Sequence, residues 1–335
     1  MSLVTSYIRD LAVDAVRGWN RFWFSPADPA TLGLIRLLTG VLLLYTHATW
    51  TFGLDDFFGQ HSWITREAID TLTPRGADDQ PQASFAWSYF WWIDSLPPPW
   101  SGRVLWAAHL TALAVFVLLA LGLFSRTMAL AAFLAVVAYI HRVRATEFGL
   151  DQVNGMLVMY LWIGPCGGAW SLDRLWAAWR HRRRTGQPLP PVEPSVAANL
   201  AIRLLQIHLC AVYLFSALGK LQGVTWWSGQ ALWYVLANPE YHAFPVEWLA
   251  HWPVLGALLT ETVLYWELFF CVLIWSPRLR PIVLAMAVPL HLGIAFGLRI
   301  LPFGLGMLIA CLSFVSPSLI RRVLTGKIGT QGTAL

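Results

Sequence analysis

Tyr213-Leu-Phe-Ser-Ala-Leu-Gly-Lys220-Leu-Gln-Gly-Val-Thr-Trp226-Trp227-Ser-Gly229-Gln-Ala-Leu-Trp233 closes a long apolar run on a lysine, a polar turn and a pair of tryptophans. Residues 197–219 are long and apolar enough for one helix to cross a hydrocarbon core about 30 Å thick. A cation and indole rings at the end of such a run mark its exit into the headgroups. The stretch therefore reads as the end of a membrane-spanning helix, and similar runs recur along the chain. Only two lysines, Lys220 and Lys327, stand against 21 arginines. Arginine keeps its proton in proteins, whereas a desolvated lysine can lose it and act as a base. Lys220 is thus a candidate for chemistry. The structural alternative is a lysine that snorkels from a helix end.

Composition fixes the class. A soluble domain is about 25% charged, whereas this chain of 335 residues is 12% charged and 57% hydrophobic. The expected fold is all-α, a polytopic transmembrane helical bundle of about 8 spans forming one membrane domain over 1–335. Its 20 tryptophans gather near the ends of apolar runs, where interfacial belts form. The excess of arginine flanks helices, which speaks for membrane topology and against nucleic acid as a partner. Cys166, Cys210, Cys271 and Cys311 lie inside apolar segments without CxxC spacing and read as buried thiols. No histidine cluster argues for a metal or haem. The polar, amphipathic start lacks the pattern of a cleavable signal.

Residues 3–24 are expected to form an interfacial amphipathic helix. Spans are expected at about 30–50, 103–124, 127–141, 152 to 164–168 or a little beyond, 197–219, 250–275, 281–298 and 300–317, so the bundle occupies 30–320. A polar and aromatic loop, 51–101, holds Arg66, Glu67, Asp70, Pro74, Asp78 and Asp79. Residues 173–195 read as a basic, proline-rich cytoplasmic linker, and 221–247 as a short helix in the interface. On an eight-span reading, 14 basic residues fall on the side of the termini, among them Arg126, Arg182, Arg278, Arg321 and Lys327. Seven fall opposite: Arg66, Arg75, Arg103, Arg142, Arg144, Lys220 and Arg299. That bias places both termini in the cytoplasm of a bacterial inner or cell membrane, and Lys220 outside.

Intramembrane ionisable residues are costly and face partners or cavities. Counted at about 1.5 Å per residue, Glu267, His291 and Arg36 lie about 12, 15 and 9 Å from the cytoplasmic ends of their helices. They are expected to meet, as a structural charge pair or as the floor of a polar cavity. A second, outer group is expected to comprise Lys220, Asp151, Asn154 and Glu261 beneath Trp226 and Trp227, a site for a polar head on an apolar body. Burial lowers an amine's pKa, as a general base near neutral pH requires. His47, His109 and His208 read as satisfied core or interface histidines.

Several stretches resemble one family in order: Leu34-Ile-Arg36-Leu-Leu-Thr-Gly40, Leu121-Gly-Leu-Phe-Ser-Arg126, Tyr213 to Trp233, Glu267 in Trp-Glu-Leu, and His291 before Pro302-Phe303-Gly304. Together they resemble the HTTM (horizontally transferred transmembrane) domain, the membrane domain of the vitamin K-dependent gamma-carboxylase family, over nearly the whole chain. The resemblance implies that Lys220 is the base that deprotonates a reduced quinone, with Asn154 matching an asparagine of the fourth span. It implies reduced vitamin K or menaquinol, with oxygen and carbon dioxide, as reactants. Gly155 stands where the carboxylases carry a histidine, and the sequence ends at Leu335, without their large peptide-binding domain. Ordinary peptide carboxylation is therefore not expected.

The functional expectation is an HTTM-like, quinol-dependent carboxylase- or oxygenase-like membrane enzyme. Lys220, Asn154, His291 and Glu267 would form its catalytic set, and Asp151, Trp226, Trp227, Glu261 and Arg36 its substrate-binding set. The alternative is a non-enzymatic membrane subunit that serves the export, maturation or immunity of a secreted peptide or small protein. A lipid or solute carrier would show two symmetric halves with discontinuous helices, and the sequence shows no such repeat.

Overall fold

A computed structural model describes residues 3–63, 65, 68, 71, 87–143, 147–241 and 243–325. Arg66, Glu67, Asp70, Pro74, Arg75, Asp78, Asp79, Arg144 and Lys327, which entered the loop and topology readings, lie outside the described residues. Every apolar run forms a helix: α2 (Ala30–Trp50), α5 (Trp100–Leu121), α6 (Ser125–Arg142), α7 (Gly149–Ile163), α9 (Val196–Lys220), α12 (Pro253–Leu273), α13 (Arg280–Leu292) and α14 (Leu301–Cys311). Between and around them lie α1 (Leu3–Phe24), α3 (Leu54–Phe58), α4 (Phe90–Asp94), α8 (Leu172–Thr185), α10 (Val224–Trp227), α11 (Ala231–Ala237) and α15 (Pro317–Thr325). The described residues contain no strand, only one isolated bridge between Ala27 and Ser195.

Five helices are long and apolar enough to cross a membrane: α2, α5, α9, α12, and α13 with the π turn that follows it. A sixth is added if the pair α14 and α15, bent by 115°, counts as one. Of the other expected spans, α6 carries Arg126 and Arg142 near its two ends, and α7 has only 15 residues.

Local chemistry sets the helix ends. Ser171 and Ser195 accept from the amides of Arg174 and Ala198 and so cap α8 and α9. Proline occupies the first turn of α12, α13 and α14, where its missing N–H has no helical partner to lose. Within the basic stretch 173–195, α8 occupies the part up to Thr185. A serine cap, Asp173 in the first turn and Arg182 to Arg184 in the last match both ends of the helix dipole. Residues 221–247 likewise hold two short helices, α10 and α11, instead of one.

Several bonds gather chain segments at one end of the bundle. Ala27 and Ser195 exchange backbone hydrogen bonds at 3.0 and 2.9 Å, so α2 and α9 start side by side. Asn199 donates to the carbonyls of Phe22 and Trp23, at the end of α1. Arg321 of α15 grips Asp28 with two bonds of 2.8 and 2.7 Å, which hold its guanidinium above its ordinary pKa. The carboxylate of Asp173 accepts from the amides of Phe124 and Ser125, fixing the start of α6 beside α8.

At the opposite end, buried Arg142 donates to the Gly59 carbonyl and the Ser62 hydroxyl and pairs with Asp94 at 3.5 Å. Thus α6 runs from the first end to the second, and α7 runs back. α14 packs against α2, α7, α9 and α13 at the centre. Gly40 permits α2 to press on α5: a Cβ there would stand 2.5 Å from the Ala120 nitrogen.

Candidate functional site

Lys220 turns back along its own helix to partners within the bundle. A helical Cβ leans toward the helix N-terminus, and the Lys220 ammonium follows it back down α9. There it donates to the Ser216 hydroxyl at 2.6 Å and to Glu267 Oε2 at 2.5 Å. The Trp226 ring lies 5.4 Å away, within cation–π range. The lysine side chain is 21% exposed and that of Glu267 9%.

This pairing overturns the two depth groups. Gly229 and Leu232, which follow Lys220, both hydrogen-bond Thr260, so α10 and α11 lie alongside the first half of α12. Glu267 is seven residues, about 10 Å, further along α12. Lys220 therefore sits beside the second half of α12, level with a carboxylate expected in the other group. Residue counting gives relative depth only where neighbouring helices end level, and α9 ends beside the second half of α12.

Glu267 and His291 line the same cavity but do not bond each other. His291 Nε2 instead meets the Tyr213 hydroxyl at 2.6 Å. Its Nδ1 has no partner among the described residues. Gly304 holds α14 against this histidine, since a Cβ there would stand 2.4 Å from the His291 carbonyl oxygen. Tyr213 and Ser216 were absent from the expected site. Their signal was present: they lie seven and four residues before Lys220, on the same helical face.

The cavity has a volume of 710 Å³, within the usual range for small-molecule sites. Its wall is mainly apolar, from residues such as Leu236, Phe244, Trp266, Met286, Phe296 and Phe303. The Lys220–Glu267 and Tyr213–His291 pairs and Trp226 supply its polar and aromatic face.

Five expected members belong elsewhere. Arg36, with 0% exposure, meets no carboxylate among the described residues. Its guanidinium donates to the carbonyls of Cys166 (3.2 Å), Ala120 (2.7 Å), Trp170 (2.5 Å) and Leu119. It thus caps the end of α5 and clamps the turn after α7, a structural task at a negative helix terminus. Trp227 is exposed and donates to the Leu221 carbonyl at 2.7 Å, outside the cavity. Glu261 lines neither cavity. Asp151 and Asn154 line a second, smaller cavity, and Asp151 also caps α7 by accepting from the Phe148 amide at 3.1 Å.

The three histidines read as core or interface residues are paired: His47 with the Leu43 carbonyl, His109 with Tyr139 and Thr51, and His208 with Tyr160. The thiols of Cys166, Cys210 and Cys311 are buried, while Cys271 is half-buried. Gly155 faces open space, with nothing within 4 Å of an added Cβ. Comparison with family models, curated proteins and solved structures returns no match.

Proposed function

We propose that this protein binds a quinol or another lipid-like molecule in the larger cavity, its polar head at Lys220–Glu267 and its apolar body among the cavity's side chains. The observation that carries the reading is an apolar cavity of 710 Å³ with one ion pair in its wall. In this reading the chain is an HTTM-like protein, related to the membrane domain of the gamma-carboxylases. It crosses a cell membrane eight times with both termini cytoplasmic, and α1 lies in the interface. The gathering of the starts of α2, α9 and α15 at one end supports an even number of crossings. The traverses made by α6 and α7 raise six to eight.

Lys220 and Glu267 act as one unit. Lys220 passes a proton to Glu267 and takes one from a substrate hydroxyl. The O–H bond of the substrate breaks, a carboxyl O–H forms, and the new oxyanion faces the Lys220 ammonium. Ser216 and Trp226 hold that ammonium in place, and Tyr213–His291 sets the adjoining wall. Reduced vitamin K or menaquinol is the substrate class implied by the resemblance.

The test is oxygen uptake by the purified protein with menaquinol. Wild-type protein is expected to consume oxygen, with Lys220→Ala slower by about 100-fold or more, the scale of a lost general base. Equal rates in both proteins, or no consumption by either, would remove the quinol reading.

A further inference from the structure

The second cavity, of about 280 Å³, opens between the end of α2, the end of α6 and the start of α7. It shares no lining residue with the larger one. Its polar groups have a consistent sense. His47 Nδ1 donates to the Leu43 carbonyl at 2.9 Å, the Thr46 hydroxyl to Leu42 at 3.0 Å, and the Thr49 hydroxyl to Thr46 at 2.6 Å. The Tyr139 hydroxyl is taken up by His109 at 2.6 Å. With its proton on Nδ1, the neutral His47 ring keeps Nε2 as an acceptor.

Asn154 is 2% exposed, and its Oδ1 has no partner among the described residues. Buried polar atoms normally find one. Asp151 and Glu147 add two carboxylates, and no lysine or arginine among the described residues lines the space. Trp50, Tyr45, Phe58 and Phe148 supply aromatic walls. The described residues hold no group of three or more His, Cys, Asp or Glu suited to a metal ion. The complement of this wall is an organic cation that donates hydrogen bonds.

We propose that this cavity binds a primary ammonium group, which donates to Asn154 Oδ1 and His47 Nε2, is balanced in charge by Asp151 and Glu147, and faces the Trp50 and Tyr45 rings. Its volume lies just under the lower end of the range for ligand pockets, about 300 Å³, so it takes an aminoethyl-sized head and not a whole lipid. A free small amine and an ethanolamine lipid headgroup present that same chemistry.

The full chain in phosphatidylglycerol nanodiscs, titrated with ethanolamine and followed by its thermal unfolding midpoint, tests the proposal. Discs containing phosphatidylethanolamine, without free amine, form the second arm. A saturable upward shift in the first arm assigns a soluble amine. A shift in the second arm alone assigns the headgroup. Asn154→Leu is expected to weaken the response at least tenfold, while Asn154→Asp, which keeps the acceptor and adds charge, binds as tightly or more so. If Asn154→Leu does not fold, the Asn154→Asp comparison decides, and weaker binding there overturns the proposal. No shift in either arm, an equal response to ethanol or tetramethylammonium, or unchanged affinity in a folded Asn154→Leu also overturns it. No quinol enters these measurements, so this proposal and the Lys220 reading can fail separately.

Discussion

Lys220 holds its charge inside the protein with three partners of different kinds: a carboxylate, a hydroxyl and an indole face. Removing one member of a buried pair is costlier than removing both, because the survivor keeps an uncompensated charge. Glu267→Leu is therefore expected to destabilise the protein by about 2 kcal/mol, scaled down from a fully buried pair because the lysine is partly exposed. The double variant Lys220→Met with Glu267→Leu should lose less than the sum of the single losses. The difference should be about 1 kcal/mol or more, read from unfolding midpoints in detergent. Additive losses would show that the two groups do not act together. Helical spacing carries Ser216 and Tyr213, and Glu267 is legible as a site residue, but its ion pair with Lys220 is not. Its pairing depends on where α9 stops relative to α12, which no local pattern records.

Helix positions were legible because each span is a continuous apolar run closed by proline, serine or glycine. What joins one helix to the next was less so. Gly122 ends α5 at φ 71°, a left-handed conformation natural to glycine, with the Arg36 guanidinium packed against it. An added Cβ would stand 2.6 Å from Arg36 Nη1 and 2.5 Å from Ser171 Cβ. Gly122→Ala should therefore lose about 2 kcal/mol or more, from backbone strain and a displaced clamp together. Gly18→Ala, in the middle of α1 with nothing within 4 Å, should be neutral or gain up to about 1 kcal/mol. Equal effects at the two positions would refute the clamp. Arg36 itself reads in the sequence as a charge seeking an acid. Its acceptors are carbonyls from two distant segments, and every residue type supplies carbonyls, so composition could not point to them.

Taken together, the bonds at the two ends divide the protein into a face rich in arginine and a face built around α3, α4 and the tryptophan-bearing α10. α8 shows the first face clearly: Arg180 and Arg183 lie over the rings of Trp176 and Trp179, each 4.2 Å from the centroid. If the first face is cytoplasmic, Arg183→Cys in a background without the four native cysteines should react with an impermeant maleimide only after cell lysis. Ser228→Cys in the same background should react in intact cells. The reverse pattern would invert the orientation, and labelling of both in intact cells would refute the eight-span reading. The overall class was legible from composition, whereas the separation of these two cavities, which share no lining residue, was not. It arises from the packing of α14 between the two sets of helices, a long-range arrangement.

The clamp around Arg36 also has a history in time. Its carbonyl partners at Leu119 and Trp170 follow it by 83 and 134 residues. At a synthesis rate of about 5–20 residues per second, the guanidinium waits on the order of ten seconds for its full set of acceptors. Until then α2 carries a cation that lipid solvates poorly, which favours its being held in a protein environment until residue 170 emerges. Nascent chains stopped at residue 150 should accordingly decay faster in pulse-chase than chains stopped beyond residue 175. The last acceptor to arrive completes the clamp that ties α2 to the end of α5 and to the turn after α7.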